Sequence, residues 1–413
     1  MTANAATGLS ARLQRLGLLR AGPRTLAPQP RVEVSRDVPG VVEVEEGQGS
    51  FVLRTCRHPL DYVHGARPLG DALAVSARDV GLATRRLDYA EVPPDRRLYL
   101  DTETTSLSGG AGVYVFLVGL GRFEDDAFVV RQYFMRDPGD EGPMLAAVAR
   151  QLDEADALVS FCGRSFDVPR LADRFVFHDR DVTARRLRTL RHVDLYHGGR
   201  ALFGSRLPDG RLRTYERRML DVHRVDDLAG AECPEAWFGY VRGDENRIAK
   251  IMEHNLIDVL SLVGLEERIG RAFVAPDHPL TALATGVLAF ESGGKTRAAC
   301  HLVPAARRVA LDGAAPFPLL LRAVRALRRL DETAAAVTLL GEMVTAVPHD
   351  TRGWVQLAIV QEHTLRDHPA ALASVDAALG VTSAGGNAIA ALRHRRRRLE
   401  RRLASGSAGL HTV

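Results

Sequence analysis

The feature that most constrains this chain is an apolar run that ends in two acids. The run Leu98–Leu100 is followed at once by Asp101, Thr102 and Glu103. Because strand side chains alternate between two faces, a strand here places both acids on one face. Two carboxylates about 4 Å apart repel each other by roughly 4 kcal/mol at an effective dielectric constant near 20. A divalent cation or a shared proton removes this repulsion, so the pattern predicts a divalent-metal site.

Length and composition predict a soluble globular protein with two or three domains. The 413 residues exceed what one ordinary hydrophobic core supports. No apolar run approaches the roughly 18 residues of a membrane helix, and the N-terminal segment lacks the apolar stretch of a secretory signal. The four cysteines stand singly, which argues against a disulfide framework and fits a reducing cytoplasm. We therefore expect a cytoplasmic protein, while the formal net charge of +4 leaves nucleic-acid binding undecided.

The pattern along the chain predicts three parts and a short tail. Residues 1–92 are expected to form a partly irregular N-terminal extension, in which 41–53 is strand-like. Residues 93–274 alternate strand and helix patterns, residues 275–405 are helical throughout, and residues 406–413 form a flexible tail. The sequence thus predicts an α/β domain followed by an all-α domain.

Within the α/β part, the spacing of strand-like runs predicts a mixed sheet. The runs 97–102, 113–123 and 127–135 follow each other through short turns, so they should form an antiparallel meander. Later strands near 157–161 and 192–196 alternate with helices and should run parallel to the first strand. The predicted fold class is therefore α/β, with a mixed sheet flanked by helices.

The last third of the chain carries a helical repeat. Trp354, Leu357 and Ala358 fit the start of the 34-residue tetratricopeptide template, and Pro348 closes the preceding unit. Similar residues recur one period earlier, with a weaker third copy before them. We expect stacked helix pairs that could recruit a protein partner.

Two further acids and a histidine complete the candidate site. Asp167 follows an apolar strand and precedes a helix, and Asp258 lies on a long helix predicted at 245–269. His254 precedes Asp258 by four residues, so the two share one helix face. Taken alone, Asp167 could cap its helix, Asp258 could be a solvated acid, and His254 could be a satisfied polar group. Their order after the paired acids of the first strand is more specific than any one of them.

Three motifs in this order resemble those of the DEDD superfamily of 3′–5′ exonucleases. Their residues are similar to those of its YprB-type ribonuclease-H-like family. They are Tyr99-Leu100-Asp101-Thr102-Glu103-Thr104-Thr105, Ser165-Phe166-Asp167-Val168-Pro169 and Glu253-His254-Asn255-Leu256-Ile257-Asp258. The resemblance runs from about Phe51 to Leu265 and implies a ribonuclease-H-like domain with nuclease function. The metal ligands that it implies are Asp101, Glu103, Asp167 and Asp258. Members commonly carry a tetratricopeptide-like tail, which agrees with the repeat.

The resemblance also implies a two-metal mechanism with Mg²⁺ or Mn²⁺, which an all-oxygen ligand set favours over zinc. Asp101 would bridge both ions, and His254 would orient the attacking water or accept its proton. Thr104 and Thr105 could contact the terminal nucleotide or simply continue the turn. Two positions depart from the family pattern. Cys162 stands where asparagine is common, and His254 has the spacing of the tyrosine-type branch.

The expected function is metal-dependent 3′–5′ exonuclease cleavage of single-stranded DNA or RNA, or of 3′ ends. The alternative is a catalytically weak nucleic-acid-binding protein whose repeats recruit a protein partner. A third hypothesis makes peptide docking on the repeats the main activity. Arginine clusters at 185–191 and 211–218 could follow a phosphate backbone or form a solvated surface.

Overall fold

A computed structural model describes residues 38–47, 49–106, 112–243, 247–381 and 386–408. Within these residues, seven strands form one mixed sheet and two short strands form a separate hairpin. The strands are β1 Val41–Glu46, β2 Gly49–Pro59, β3 Val63–His64, β4 Arg67–Pro68, β5 Arg97–Thr104, β6 Val115–Glu124, β7 Ala127–Phe134, β8 Ala157–Ser160 and β9 Arg191–Asp194. The order across the main sheet is β1-β2-β7-β6-β5-β8-β9.

Strand β5 lies inside the sheet because its residues 98–100, just before the acids, are apolar on both faces. Every residue of β5 is buried except Asp101, which is partly exposed. The strand pairs antiparallel with β6 and parallel with β8, as an internal strand of a mixed sheet does. In turn, β6 pairs antiparallel with β7, and β8 pairs parallel with β9. The predicted meander and the predicted parallel strands are thereby confirmed.

The sheet extends beyond the boundary predicted at residue 93. Strand β2 pairs antiparallel with β7, with Val52 opposite Phe134, and β1 pairs antiparallel with β2. The strand-like run 41–53 therefore belongs to the main sheet and does not form a separate extension. Local pattern could not reveal this pairing, because β2 and β7 are far apart in the chain and share no turn.

Helices flank the sheet and continue toward the C-terminus. Those that accompany the sheet are α1 Ala77–Thr84, α2 Glu141–Asp153, α3 Asp167–Phe177, α4 Asp181–Thr189, α5 Leu195–Phe203, α6 Leu212–Tyr215, α7 Cys233–Arg242 and α8 Ile248–Val274. Those that follow are α9 Pro279–Glu291, α10 Lys295–Arg308, α11 Phe317–Arg329, α12 Thr333–Ala346, α13 Thr351–Val360, α14 His368–Val381 and α15 Gly386–Ala408. In the part of the chain that the structure describes, every helix is too short or too polar to span a bilayer.

Side-chain alternation along β5 divides the core between the two faces of the sheet. Tyr99 packs in a cluster with Val259 of helix α8, which crosses β5, β6 and β7. Leu100 packs in the opposite cluster with Leu171 of helix α3. The same alternation directs Asp101 toward α8 and the next residue toward α3.

Helix pairs follow the sheet domain and pack against it. Helix α11 begins at Phe317 and α13 at Thr351, 34 residues later, which is consistent with the predicted repeat. Leu283 of α9 and Leu320 of α11 belong to the same hydrophobic cluster as Tyr99. The core is therefore continuous across the boundary predicted near residue 275. The division of the chain into domains stays a prediction.

Candidate metal centre

The candidate site lies at the C-terminal end of β5, where the strand meets helix α8. Asp101 pairs with Gly119 of β6, and the strand register shifts after Glu103. A Cβ atom at Gly119 would lie 2.2 Å from Oδ1 of Asn255. The glycine thus lets helix α8 approach the strand closely enough for its side chains to meet the acids.

Three carboxylates converge at this point. One oxygen each from Asp101, Glu103 and Asp258 lie within 4.8 Å of one another. Within the described chain, neither Asp101 nor Glu103 forms an ion pair with an arginine or lysine. Burial raises the pKa of Asp101 well above its ordinary value, and the charges of Asp258, Asp167 and Glu103 raise it further. Burial also raises the pKa of Glu103 to about 8, so the cluster needs a proton or a cation.

The donor set of this cluster fits a hard divalent cation. All three donors are carboxylate oxygens, and their spacing allows one ion to contact all three. Mg²⁺ and Mn²⁺ prefer such oxygen ligands. Among the residues described, the atoms present therefore suit the metal class that the sequence predicted.

A second set of possible ligands overlaps the first. Donor atoms of Glu103, Cys233 and His254 also lie within 4.8 Å of one another. Thiolate and imidazole are typical zinc ligands. Burial and the neighbouring Glu103 charge raise the pKa of the Cys233 thiol, however, and a thiol must lose its proton to bind zinc. The carboxylate set is therefore the better cation site.

Asp167 stands apart from the three converging acids. It begins helix α3 on the other face of the sheet, and its Oδ1 accepts a hydrogen bond from Thr102 Oγ1 at 2.5 Å. No oxygen of Asp167 belongs to the group within 4.8 Å, although its charge still raises the pKa of Asp101. Burial raises the pKa of Asp167 itself to about 6, against the hydrogen bond from Thr102. The structure thus brings together three of the four predicted ligands and holds the fourth beside them.

His254 faces the acids from the first turns of α8. Its Nε2 lies 3.5 Å from Oδ2 of Asp258 and 3.9 Å from Oε1 of Glu103. Its Nδ1 lies 2.8 Å from Oδ1 of Asp227, which can accept a proton from that nitrogen. Burial alone would lower the pKa of His254, but the charges of Asp258 and Glu103 and the bond to Asp227 outweigh it and raise the pKa.

A buried arginine that the sequence analysis missed anchors Asp258. The Arg224 side chain is 3% exposed and donates to Oδ1 of Asp258. It also donates to both carboxylate oxygens of Glu216, and its Nη1 lies 3.4 Å from Asp227. Because Glu216 is fully buried, the guanidinium is fixed in place. Arg224 therefore holds one oxygen of Asp258 and leaves the other facing the cluster.

Asn255 likewise holds Asp101 in place. Its Nδ2 donates to Oδ2 of Asp101 at 2.7 Å, and its Oδ1 accepts from Nε2 of Gln132 at 2.8 Å. Gln132 in turn accepts from Arg54 Nη1 at 3.2 Å. This chain of hydrogen bonds runs from β2 through β7 and α8 to the strand acid, so it orients Asp101 from outside the cluster.

The two threonines predicted to touch substrate have local partners. Thr104 Oγ1 donates to the Ser106 carbonyl at 2.9 Å, and Thr105 Oγ1 accepts from the Tyr114 amide at 3.0 Å. These bonds close the end of β5 onto the segment before β6. The role of the threonines in substrate binding stays a prediction.

Cys162 takes the backbone conformation of a sharp turn after β8. Its φ angle is 62°, and its amide donates to Oδ1 of Asp194 at 2.8 Å. Burial and the charges of Asp194 and Asp167 raise the pKa of its thiol to about 11. The residue shapes the loop before Asp167 and keeps its thiol neutral.

The residues that sequence reasoning missed share one property. Arg224, Asp227 and Cys233 lie in short helices and loops, where no periodic pattern marks a side chain as buried. Asn255 could have been identified from the sequence, because it directly follows His254 on the same helix. Its partner could not be inferred without knowing how closely α8 approaches β6.

Comparisons with known proteins agree with this geometry. Residues 98–269 match the family model described as ribonuclease H superfamily, a range that contains all the predicted ligands. The chain is 29% identical over 231 residues to uncharacterized protein YprB of Bacillus subtilis (strain 168). This match covers 55% of the present chain and 55% of the relative, so the chain spans about half of that protein's length. Residues 98–269 are therefore similar to the ribonuclease H superfamily, and about half of the chain is similar to the YprB protein.

Proposed function

We propose that this protein is a metal-dependent nuclease that removes nucleotides from the 3′ end of single-stranded DNA or RNA. The observation that carries the proposal is the convergence of Asp101, Glu103 and Asp258 within 4.8 Å, two of them without an arginine or lysine partner in the described chain. A fold that buries like charges in this way is stabilised when a cation joins them. The ribonuclease H superfamily supplies the nucleic-acid context.

The ligands would be Asp101, Glu103 and Asp258, with Asp167 completing a second position from the α3 side. Two bound Mg²⁺ or Mn²⁺ ions would supply charge neutralisation at the scissile phosphate and a nucleophile at neutral pH. The protein's part is to hold the carboxylates in place. Asn255 fixes Asp101, and Arg224 fixes Asp258, so neither acid has to reorganise when substrate arrives.

His254 would act on the attacking water. Asp227 Oδ1 lies 2.8 Å from Nδ1 of His254, and Arg224 Nη1 lies 3.2 Å from the same nitrogen. The nearer carboxylate would accept a hydrogen bond from Nδ1, so that the neutral imidazole would keep its lone pair on Nε2, which faces Glu103 and Asp258. A water between these groups could pass its proton to that nitrogen. His254 is therefore assigned as the general base, held in one tautomer by Asp227.

The proposal is tested by digesting end-labelled single-stranded DNA and RNA in Mn²⁺. We expect the wild type to shorten strands labelled at the 5′ end one nucleotide at a time, while a label at the 3′ end is released at once. Asp101→Ala should abolish this cleavage, and Asp126→Ala, an exposed acid paired with Arg57, should leave it intact. Undiminished cleavage by Asp101→Ala would assign the activity to a contaminant and reject the proposal.

One observation favours the alternative of a catalytically weak nucleic-acid-binding protein. Arg224 already neutralises Asp258, which leaves fewer negative charges to attract a second cation. Calorimetric titration with Mn²⁺ separates the two functions. Metal binding with no cleavage of any single strand would favour the binding protein.

A further inference from the structure

A cavity lined by arginines lies at the first turn of helix α3, which begins at Asp167. It encloses about 400 Å³ and is bounded by Arg86, Arg164 and Arg188. The first turn of α3, at Val168 and Pro169, forms part of its wall. Three guanidinium groups around one cavity of this size make a site for an anion, because arginine pairs with phosphate through two parallel hydrogen bonds.

Two of these arginines are held in place by acids outside the cavity, and one is free. Arg86 donates to both carboxylate oxygens of Asp88 at 3.0 and 2.6 Å, and Arg188 donates to Asp173 at 2.7 Å. Arg164 is exposed, and its guanidinium forms no hydrogen bond or ion pair with any residue that the structure describes. The cavity therefore has an excess of positive charge centred on Arg164.

The loop between β8 and α3 connects the cavity to Asp167, because Arg164 lies on this loop and Val168 lines the cavity. A Cβ atom at Gly163 in this loop would lie 2.3 Å from Oγ of Ser160 and 3.1 Å from Oδ2 of Asp167. Ser160 Oγ is in turn 2.7 Å from Nε2 of His192, which lines the cavity. These contacts thus link the cavity wall at His192 to Asp167 through Ser160 and Gly163.

We propose that this arginine cavity binds a backbone phosphate of the strand whose end lies at the carboxylate cluster. The proposal rests on the nuclease function proposed above, since it takes its ligand from that substrate class. A polynucleotide is favoured over a free anion because it can occupy the cavity and the carboxylate cluster together. The contact is to phosphate, so it holds DNA and RNA strands alike and carries no sequence preference.

The test measures strand binding in a protein that cannot cleave. Fluorescein-labelled oligo-dT and oligo-U are titrated with Asp101→Asn protein by fluorescence anisotropy at a series of KCl concentrations. In that background, Arg164→Gln should weaken binding and reduce the slope of log affinity against log salt by about 0.7, the value for one phosphate contact to a single strand. Arg164→Lys keeps the charge and should keep the slope.

Arg325→Gln is the matched control. Arg325 is an exposed arginine of α11 that does not line the cavity, and its substitution removes the same charge. We expect its salt slope to equal that of the parent protein. Equal slopes for Arg164→Gln and Arg325→Gln would overturn the proposal, because only the overall charge would then matter. Binding of inorganic phosphate that depends on Arg164, without such dependence for either strand, would also overturn it and assign the cavity to a free anion.

Failure of the nuclease proposal gives a different result. If the salt slope depends on Arg164 but the wild type cleaves no strand in Mn²⁺, the cavity is a nucleic-acid contact and the enzyme assignment fails. If the wild type cleaves strands and Arg164→Gln binds them like the parent, the cavity proposal alone fails.

Discussion

Two regions of this molecule bury carboxylates. In one region the neighbouring side chains stabilise the negative charge, and in the other they destabilise it. In the C-terminal helices, Glu362 is fully buried and accepts hydrogen bonds from Arg395, Arg398 and Arg402 of α15. Burial alone would raise the pKa of Glu362, but the bond and charge of Arg398 and the charge of Arg395 outweigh it and lower the pKa. At the end of β5, burial and neighbouring acids raise the pKa of Asp101 instead.

The difference separates structural acids from candidate functional ones. Two other buried acids are also paired with cationic side chains: Glu141 with Arg174 and His178, and Glu266 with Arg97. A buried carboxylate that is paired with a cationic side chain of the same protein is stabilised by the fold itself. In the described chain, Asp101 and Glu103 have no arginine or lysine partner, so a proton or a cation must offset their charge.

The largest expected effect comes from removing a charge at the cluster. Asp101→Asn should lower the cleavage rate in Mn²⁺ by on the order of a thousandfold, which corresponds to about 4 kcal/mol of transition-state stabilisation. It should also remove most of the heat of Mn²⁺ binding in calorimetry. A variant that binds Mn²⁺ as tightly as the wild type would show that the acids at β5 are no different from Glu362.

The second-largest effect is expected when Arg224 is replaced. Its size tests whether Arg224 belongs with the structural or with the functional residues. Arg224→Met leaves Glu216 buried without its partner and should lower the free energy of unfolding by about 3–5 kcal/mol, measured by urea denaturation. The double substitution Arg224→Met with Glu216→Gln removes the unpaired charge of Glu216 and should recover part of the loss, because Asp227 and Asp258 still lack their arginine partner. Arg213→Met is the control, because Arg213 is half exposed and lies 3.7 Å from Asp227. A loss of similar size in the control would contradict the assignment of Arg224 as the buried anchor.

The same substitution in the two regions should change stability in opposite directions. Without metal at pH 7, Glu103→Gln should raise the free energy of unfolding by about 2 kcal/mol, because the pKa of Glu103 is near 8 and its charge is unfavourable in the fold. Glu362→Gln should lower it by about 2 kcal/mol, since it weakens charged hydrogen bonds from three arginines. Thermal denaturation of both variants in EDTA measures the two changes. A loss of stability in Glu103→Gln would mean that the acid cluster is satisfied without a cation.

The smallest effect concerns His192, a buried base whose hydrogen-bond partner is Ser160 and which has no acid partner in the described part of the chain. Burial, together with Arg164 and Arg86, lowers the pKa of His192 to about 3 from an ordinary 6.5. Above pH 6.5 the ring is neutral in both the folded and the unfolded state, and because the folded-state pKa is the lower one, the group increasingly destabilises the fold as the pH falls from 6.5 toward 3. Between pH 6.5 and 5 the wild type should lose about 1 kcal/mol of stability per pH unit relative to His192→Gln. The free energy of unfolding of both proteins is measured by urea denaturation across this pH range. Parallel pH profiles of this free energy would contradict the prediction.

The sequence pattern was sufficient to predict the strand and the helix that carry the site residues. Periodicity placed Asp101 and Glu103 on one face of a strand, and helical spacing placed His254 and Asp258 on one face of α8. The structure contains both elements and brings their acids together. These features are local, because the positions of side chains along one strand or one helix depend on residues only a few positions apart.

Tertiary structure alone decided which side chains complete the site and what each acid faces. Only the packed sheet shows that β1 and β2 join its edge, that Thr102 holds Asp167 on the opposite face, and that Arg224 reaches Asp258. Each of these contacts joins segments far apart in the chain. Their geometry depends on how closely helices approach strands, and this is set by packing details such as the missing side chain at Gly119. Sequence periodicity carries no information about that distance.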